Sequence, residues 1–223
     1  MDLLEYQGKQ LFARHGVPVP SGSPADTVEK AVAAAEEVGY PCVIKAQVQI
    51  GGRGKAGGIK IAENRAQASE HAAAILGMEI RGPRGEGPFT VREVWVERAS
   101  EIGAENYASI ILDRSEKKPL TMLSTMGGMN VEEIAEKDPD ALVRRYVDPD
   151  DGFAQSEAAA LAADAGVDED VREKTAALLA KLYEAFEAED ATLIEVNPLV
   201  VTEGRDVLAL DSKVTIDNSA LFR

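Results

Sequence analysis

The 223 residues carry 24 Lys and Arg against 39 Asp and Glu, a formal charge of −15, and 45% of them are hydrophobic. Such a chain can bury a core as one large domain or two interlocked small ones, its acidity opposes binding to a nucleic-acid backbone, and no run of about 18 apolar residues offers a membrane span. Cys42 is the single cysteine, so no disulfide can form within the chain; with the start MDLLEYQGKQLF, which lacks an apolar signal core, this points to the cytoplasm.

In chain order, Leu3, Leu4, Gln7, Leu11 and Phe12 recur three or four apart after Asp2. The spacing predicts a short amphipathic helix, capped by Asp2 and stopped by Gly16. Further helices are expected at Thr27 to Val38, stopped by Gly39, at Arg65 to Leu76, capped by Asn64 and stopped by Gly77, and at Glu169 to Ala188. Strands fit Cys42 to Val48, Gly58 to Ala62, Val91 to Val96, Tyr107 to Asp113, Leu120 to Ser124, Ala191 to Val201 and Asp206 to Thr215. Gly82 to Pro88 is the most loop-like segment. The mixed order predicts an α+β fold with partly antiparallel sheets rather than a doubly wound one.

The first two strands enclose "VIKAQVQIGGRGKAGGIK". Gly52, Gly54 and Gly57 satisfy G-x-G-x-x-G, but a dinucleotide fingerprint needs a helix to follow, and Ile59-Lys60-Ile61-Ala62 reads as a strand. The P-loop pattern fails as well, because Gly54-Lys55 is followed by Ala56. What remains is strand, glycine loop, strand. Backbone N–H groups freed by glycine, Lys45 before the loop, and Arg53 and Lys55 within it suit a triphosphate. A flexible turn is the alternative for the loop alone. Lys45 lies among Val43, Ile44 and Ala46, so burial of its strand would make its charge require an anion.

Centring a hairpin on Gly204 puts Asn197 opposite Asp211 and Glu195 opposite Lys213. Opposed residues have Cβ atoms roughly 4.5–5.5 Å apart, so these four polar side chains would share one face, with Ile194, Val196, Val200, Leu208 and Leu210 on the buried one. An amide oxygen from Asn197 and a carboxylate from Asp211 can supply protein oxygens to Mg²⁺. A solvated face with a Glu195–Lys213 ion pair accounts equally well for the spacing. Glu97 and Glu105 bracket the connection "VERASEIGAE" and either accept hydrogen bonds from a nucleoside or are solvated carboxylates at a strand end. His15 lies at a helix end, His71 has no nucleophile or triad beside it, and Cys42 reads as a small core residue.

"DLLEYQGKQLFARHGVPVP", "GGRGKAGG", "LIEVNPLV" and "LDSKVTIDNSALFR" together resemble the amino-terminal ATP-grasp part of the β subunits of the ADP-forming succinate–CoA ligases, or succinyl-CoA synthetases, of the tricarboxylic acid cycle. The resemblance runs along essentially the whole chain. It implies an ATP-grasp fold of two α+β subdomains with nucleotide bound between them: a lid at about residues 21–99, and a larger subdomain from residues 1–20 and 100–223. Carried over motif by motif, it assigns Lys45, Gly52, Arg53 and Gly54 to the phosphates of ATP, Glu97, Ser100 and Glu105 to the nucleoside side, and Asn197 and Asp211 to Mg²⁺. Glu195 would face the phosphorylated histidine of an α-subunit partner, while CoA and succinate would bind through regions outside this chain. The family's β subunits continue into a flavodoxin-like domain, so the chain is expected to be a fragment. A malate–CoA ligase or related acyl-CoA synthetase, a GTP preference, and a non-catalytic ATP-binding assembly module remain alternatives.

Overall fold

The computed structural model describes residues 1–82 and 85–222, so residues 83 and 84 of the expected Gly82–Pro88 loop lie outside the described residues. Two compact units emerge: Leu4–Tyr6 with Pro20–Ser100, and Met1–Leu3 with Gln7–Val19 and Glu101–Arg223. The first helix, α1, spans Glu5–Arg14. The helix thus begins three residues beyond Asp2, whose carboxylate accepts a hydrogen bond from the Thr215 hydroxyl at 2.6 Å and whose backbone bridges Thr215.

The smaller unit contains β1 (Gly22–Ala25), α2 (Val28–Val38), β2 (Cys42–Ala46), β3 (Ile59–Ala62), α3 (Arg65–Ile75), the short strands β4 (Glu79–Ile80) and β5 (Phe89–Thr90), and β6 (Val94–Arg98). Its main sheet is antiparallel in the order β1-β6-β2-β3. Both helices start where local chemistry dictates: the Thr27 side chain accepts from Lys30 N–H and that of Asn64 from Gln67 N–H. Gly39 ends α2 at φ 81°, a conformation glycine adopts without a Cβ clash. Ala31, Ala35, Ala68 and Ala72 are fully buried against Ile44 and Val96, and their small side chains let the helices lie close to the strands. The glycine-rich segment joins β2 to β3 as an antiparallel connection, with Lys45 opposite Ile59 and Cys42 opposite Ala62. Strand, loop, strand is thus the arrangement formed.

The larger unit contains β7 (Ile102–Asp113), β8 (Lys118–Ser124), α4 (Val131–Lys137), β9 (Val143–Tyr146), α5 (Gln155–Asp164), α6 (Glu169–Ala188), β10 (Ala191–Thr202), β11 (Val207–Ala209) and β12 (Lys213–Ile216). The sheet runs β11-β10-β7-β8-β9, with β12 also on β10. Every ladder among the described residues is antiparallel, so the sheets are more uniformly antiparallel than expected. One sheet face packs under α5 and α6 through Ile110, Leu161, Leu182, Tyr183 and Ile194. On a separate patch Tyr107, Ile134 and Leu142 gather Met122, Met126 and Met129. No helix among the described residues is long and apolar enough to cross a membrane.

The last hairpin follows the expected register but not the expected continuity. Glu195 lies opposite Lys213 and Leu199 opposite Ala209, so the pairing set by a turn at Gly204 holds along the connection. Between these pairs the second strand is interrupted at residues 210–212, and β10 shifts register against β7 between Val196 and Leu199. Such a bulge exchanges the two faces. Ile194 and Val196 enter the main core before it, and Leu199 and Val201 after it, opposite Val207 and Ala209. Leu208 and Leu210, expected to be buried, are only half-buried for this reason.

A Cβ on Gly22 would lie 2.6 Å from both the Trp95 ring and the Val96 carbonyl oxygen. Gly22→Ala is therefore expected to destabilise the chain by about 1–3 kcal/mol through overpacking. Denaturation followed by the emission of Trp95, the single tryptophan, checks this; unchanged midpoint and emission would show that β1 moves aside freely.

Candidate functional site

In the smaller unit, buried charges converge below the glycine loop. Lys45 Nζ lies 3.1 Å from Glu5 Oε1 and 2.6 Å from Glu97 Oε1. Arg53 turns inward from the loop, its Nη1 donating to Glu5 Oε2 at 2.5 Å and to the Ala46 carbonyl at 3.0 Å. Gln47 Nε2 donates to Glu5 Oε2 at 3.2 Å, and Trp95 Nε1 donates to Glu97 Oε2 at 2.6 Å. The Tyr6 ring stacks on Trp95 at a centroid distance of 6.1 Å. Exposure is 3% at Glu5, 6% at Lys45 and Arg53, and zero at Glu97.

These positions revise two expectations. Glu97 is not a solvated carboxylate at a strand end, because β6 is an inner strand and the carboxylate lies against Lys45 and Trp95. Lys45 does need an anion, as burial of its strand requires, and Glu5 and Glu97 already supply it. Glu5 is the member that the sequence reading missed. Its signal lay in α1, where Glu5, Gly8, Lys9 and Phe12 occupy one helical face and all are buried, an unusual place for two charged residues. At the loop, Gly52 and Gly54 are exposed, while the N–H groups of Ala56, Gly57 and Gly58 are spent on the carbonyls of Gly52, Gly54 and Arg53. Ser100 is half-buried beyond β6.

In the larger unit, Asn197 and Glu105 meet the turn Gly127-Gly128-Met129, while Glu195 lies within electrostatic reach of Asp211 and Lys213. Asn197 Oδ1 accepts from Gly128 N–H at 2.8 Å and its Nδ2 donates to the Met129 carbonyl at 2.7 Å. Gly127 N–H donates to the Glu105 carbonyl at 2.8 Å. Asp211 is not in a strand ladder, but Leu210 N–H donates to the Pro198 carbonyl at 3.2 Å, which carries the hairpin register to the residues next to Asn197 and Asp211. Asp211 Oδ1 accepts from Ser212 N–H at 2.7 Å. Tyr107 donates to Glu195 Oε2 at 3.4 Å from the methionine-lined patch. Burial is the main cause that pushes the Glu195 carboxyl above its ordinary range; Lys213 opposes this, while Asp211 and Glu132 add to it. The Tyr107 hydroxyl is pushed up by burial and then by Glu195.

The donor set fits a hard cation that also holds phosphate. Among the described residues no three His, Cys, Asp or Glu side chains gather to hold a metal by themselves. An amide oxygen at Asn197 and a carboxylate at Asp211 match Mg²⁺, which commonly takes one or two protein oxygens and completes its shell with phosphate and water.

The ATP-grasp domain model matches residues 2–201. The chain belongs to the ATP-grasp family. Within it, the chain is 49% identical over all 223 residues to the succinate–CoA ligase [ADP-forming] subunit beta of Natronomonas pharaonis and 47% identical to that of Halorubrum lacusprofundi, spanning 57% of each. Among solved structures, it is similar in fold to an acetyl-coenzyme A synthetase of Ca. Korarchaeum cryptofilum in complex with coenzyme A and Ca-AMPCP, at a TM-score of 0.74 and 20% identity over 96% of this chain and 93% of that one. An ATP citrate lyase from Methanothrix soehngenii gives a TM-score of 0.71 at 18% identity, covering 99% of this chain and 52% of that one. The α+β architecture expected from the sequence is thus that of the ATP-grasp fold.

The buried ion cluster gives Lys45 a measurable structural weight. Lys45→Ala would leave Glu5 and Glu97 buried without their shared cation, so a loss of about 3–5 kcal/mol is expected, read as a fall in denaturation midpoint without nucleotide. An unchanged midpoint would mean that the remaining partners compensate the two carboxylates fully.

Proposed function

We propose that the chain is the ATP-binding, phosphoryl-transferring part of a succinate–CoA ligase β subunit, acting in the cytoplasm with an α-subunit partner that carries the phosphorylated histidine. What supports this reading is the 49% identity along the whole chain to such a subunit, together with the pairs Glu195–Lys213 and Leu199–Ala209, which bracket Asn197 and Asp211 across the Gly204 hairpin. Lys45 and the Gly52-Arg53-Gly54 turn are assigned to the phosphates, Glu97, Ser100 and Glu105 to the nucleoside side, and Asn197 and Asp211 to Mg²⁺. Asn197 and Asp211 would hold the ion, which would supply charge neutralisation at the triphosphate.

The chain's own residues then divide the work. Lys45 is fixed as a cation by Glu5 and Glu97, so its charge needs no reorganisation when phosphate arrives. Arg53 acts through the loop: its bonds to Glu5 and the Ala46 carbonyl tie the glycine turn to β2 and fix where the exposed Gly52 and Gly54 lie. Glu195, which accepts from Tyr107, is assigned to the partner's histidine, whose imidazole it would orient by accepting its ring N–H. Overall this gives succinyl-CoA, ADP and phosphate from succinate, CoA and ATP. Because the chain spans 57% of its curated relatives, acyl and CoA recognition are assigned to the remainder of such a protein.

Titration of ATP with and without Mg²⁺ should show metal-dependent binding that Asp211→Asn weakens by about tenfold or more, since the shape is kept and one ligand charge is lost. Metal-independent affinity, or a clear preference for GTP, would overturn the nucleotide assignment. Product formation by the full-length subunit with its partner, offered succinate and malate in turn, decides the acyl substrate.

A further inference from the structure

The carboxamide of Asn197 is held by two consecutive residues of one turn, through Oδ1 to Gly128 N–H and through Nδ2 to the Met129 carbonyl. An N–H can meet only the amide oxygen and a carbonyl only the amide nitrogen, so the turn dictates which way round the group lies. A carbonyl oxygen has two lone pairs, and accepting from Gly128 uses one of them.

The turn is itself fixed by its two glycines. Gly128 has φ 74°, and a Cβ there would overlap the Glu105 carboxylate; a Cβ on Gly127 would overlap the Asn106 backbone. Gly127 presses against the β7 backbone at a distance that no larger residue permits, and Gly128 holds a positive φ that strains any residue with a Cβ. We infer that Gly127-Gly128-Met129 is a backbone clasp that aims the oxygen of Asn197 at the ion, with Gly128 a positioning residue acting through Asn197. This rests on the assignment of Asn197 to Mg²⁺. Groups that orient a metal ligand typically contribute 10–100-fold to metal affinity.

Calorimetric titration of Mg²⁺–ATP into the chain tests the clasp. Gly128→Ala should weaken binding at least tenfold, whereas Gly152→Ala, at a similar φ of 70° but with nothing within 4 Å of its added Cβ, should leave it unchanged. Equal affinities for the two variants would overturn the clasp. Asn197→Ala separates this from the metal assignment: if it weakens binding and Gly128→Ala does not, the clasp fails and the metal assignment stands. If neither variant alters binding, both fail. Should Gly128→Ala not fold, the wild-type chain carries the test by NMR. The Gly128 amide proton should shift with Mg²⁺ and ATP together but not with ATP alone, and a resonance unmoved by both would overturn the inference.

Discussion

A buried lysine with two buried carboxylates is the constraint around which the smaller unit is organised. Lys45 sits on an inner strand, and charge at that depth is tolerated only with partners and hydrogen bonds to satisfy them. Glu97 is supplied by the neighbouring strand β6, and Glu5 by the first turn of α1. Trp95 caps Glu97 from the same strand, and Gly22 on β1 makes room for the Trp95 ring. Arg53 then ties the glycine loop back to Glu5. A loop of five glycines would otherwise be costly to order, and this internal ion pair gives it one conformation.

The larger unit relies on a different device, a paired irregularity. β10 and the strand formed by β11 and β12 change faces at the same level, so the register about Gly204 survives while the alternation of side chains does not. The break puts Asn197 and Asp211 where neither strand is committed to a continuous ladder. Polar side chains there can serve a ligand without displacing core residues, because Ile194 and Val196 on one side and Leu199 and Val201 on the other keep the core closed.

What could be read in the sequence follows from how local its cause was. α2 and α3 were legible because Thr27, Gly39, Asn64 and Gly77 mark their ends, and α6 because its length makes the period plain. The hairpin register was legible because one glycine turn fixes it. β1 was not, since Gly22 and Pro24 argue against a strand and only pairing to β6 makes them one. α5, alanine-rich on every side, offers no contrast between faces, and the capping role of Glu157 toward Ala154 N–H is visible only with the backbone in place. β9, Val-Arg-Arg-Tyr, is an edge strand whose pairing to β8 decides its form. The hairpin pairs that flank Asn197 and Asp211 were legible, but the carboxylates that Lys45 meets were not. Those ion pairs join residues 40 and 52 positions apart, and no local pattern encodes them.

Charge balance links the two devices. With a net charge of −15 the chain's overall field repels a triphosphate, so attraction must be local. In the ion cluster of the smaller unit Lys45 and Arg53 already face Glu5 and Glu97, so these cations contribute geometry more than net attraction. Glu195 and Asp211 in the larger unit add to the repulsion. A divalent cation reverses the sign of this problem, since it relieves the carboxylates and the phosphates at once. On the proposed assignment, an acidic chain would take a nucleotide more readily as its metal complex, and the orientation of Asn197 by a backbone turn would matter alongside the cations of the glycine loop.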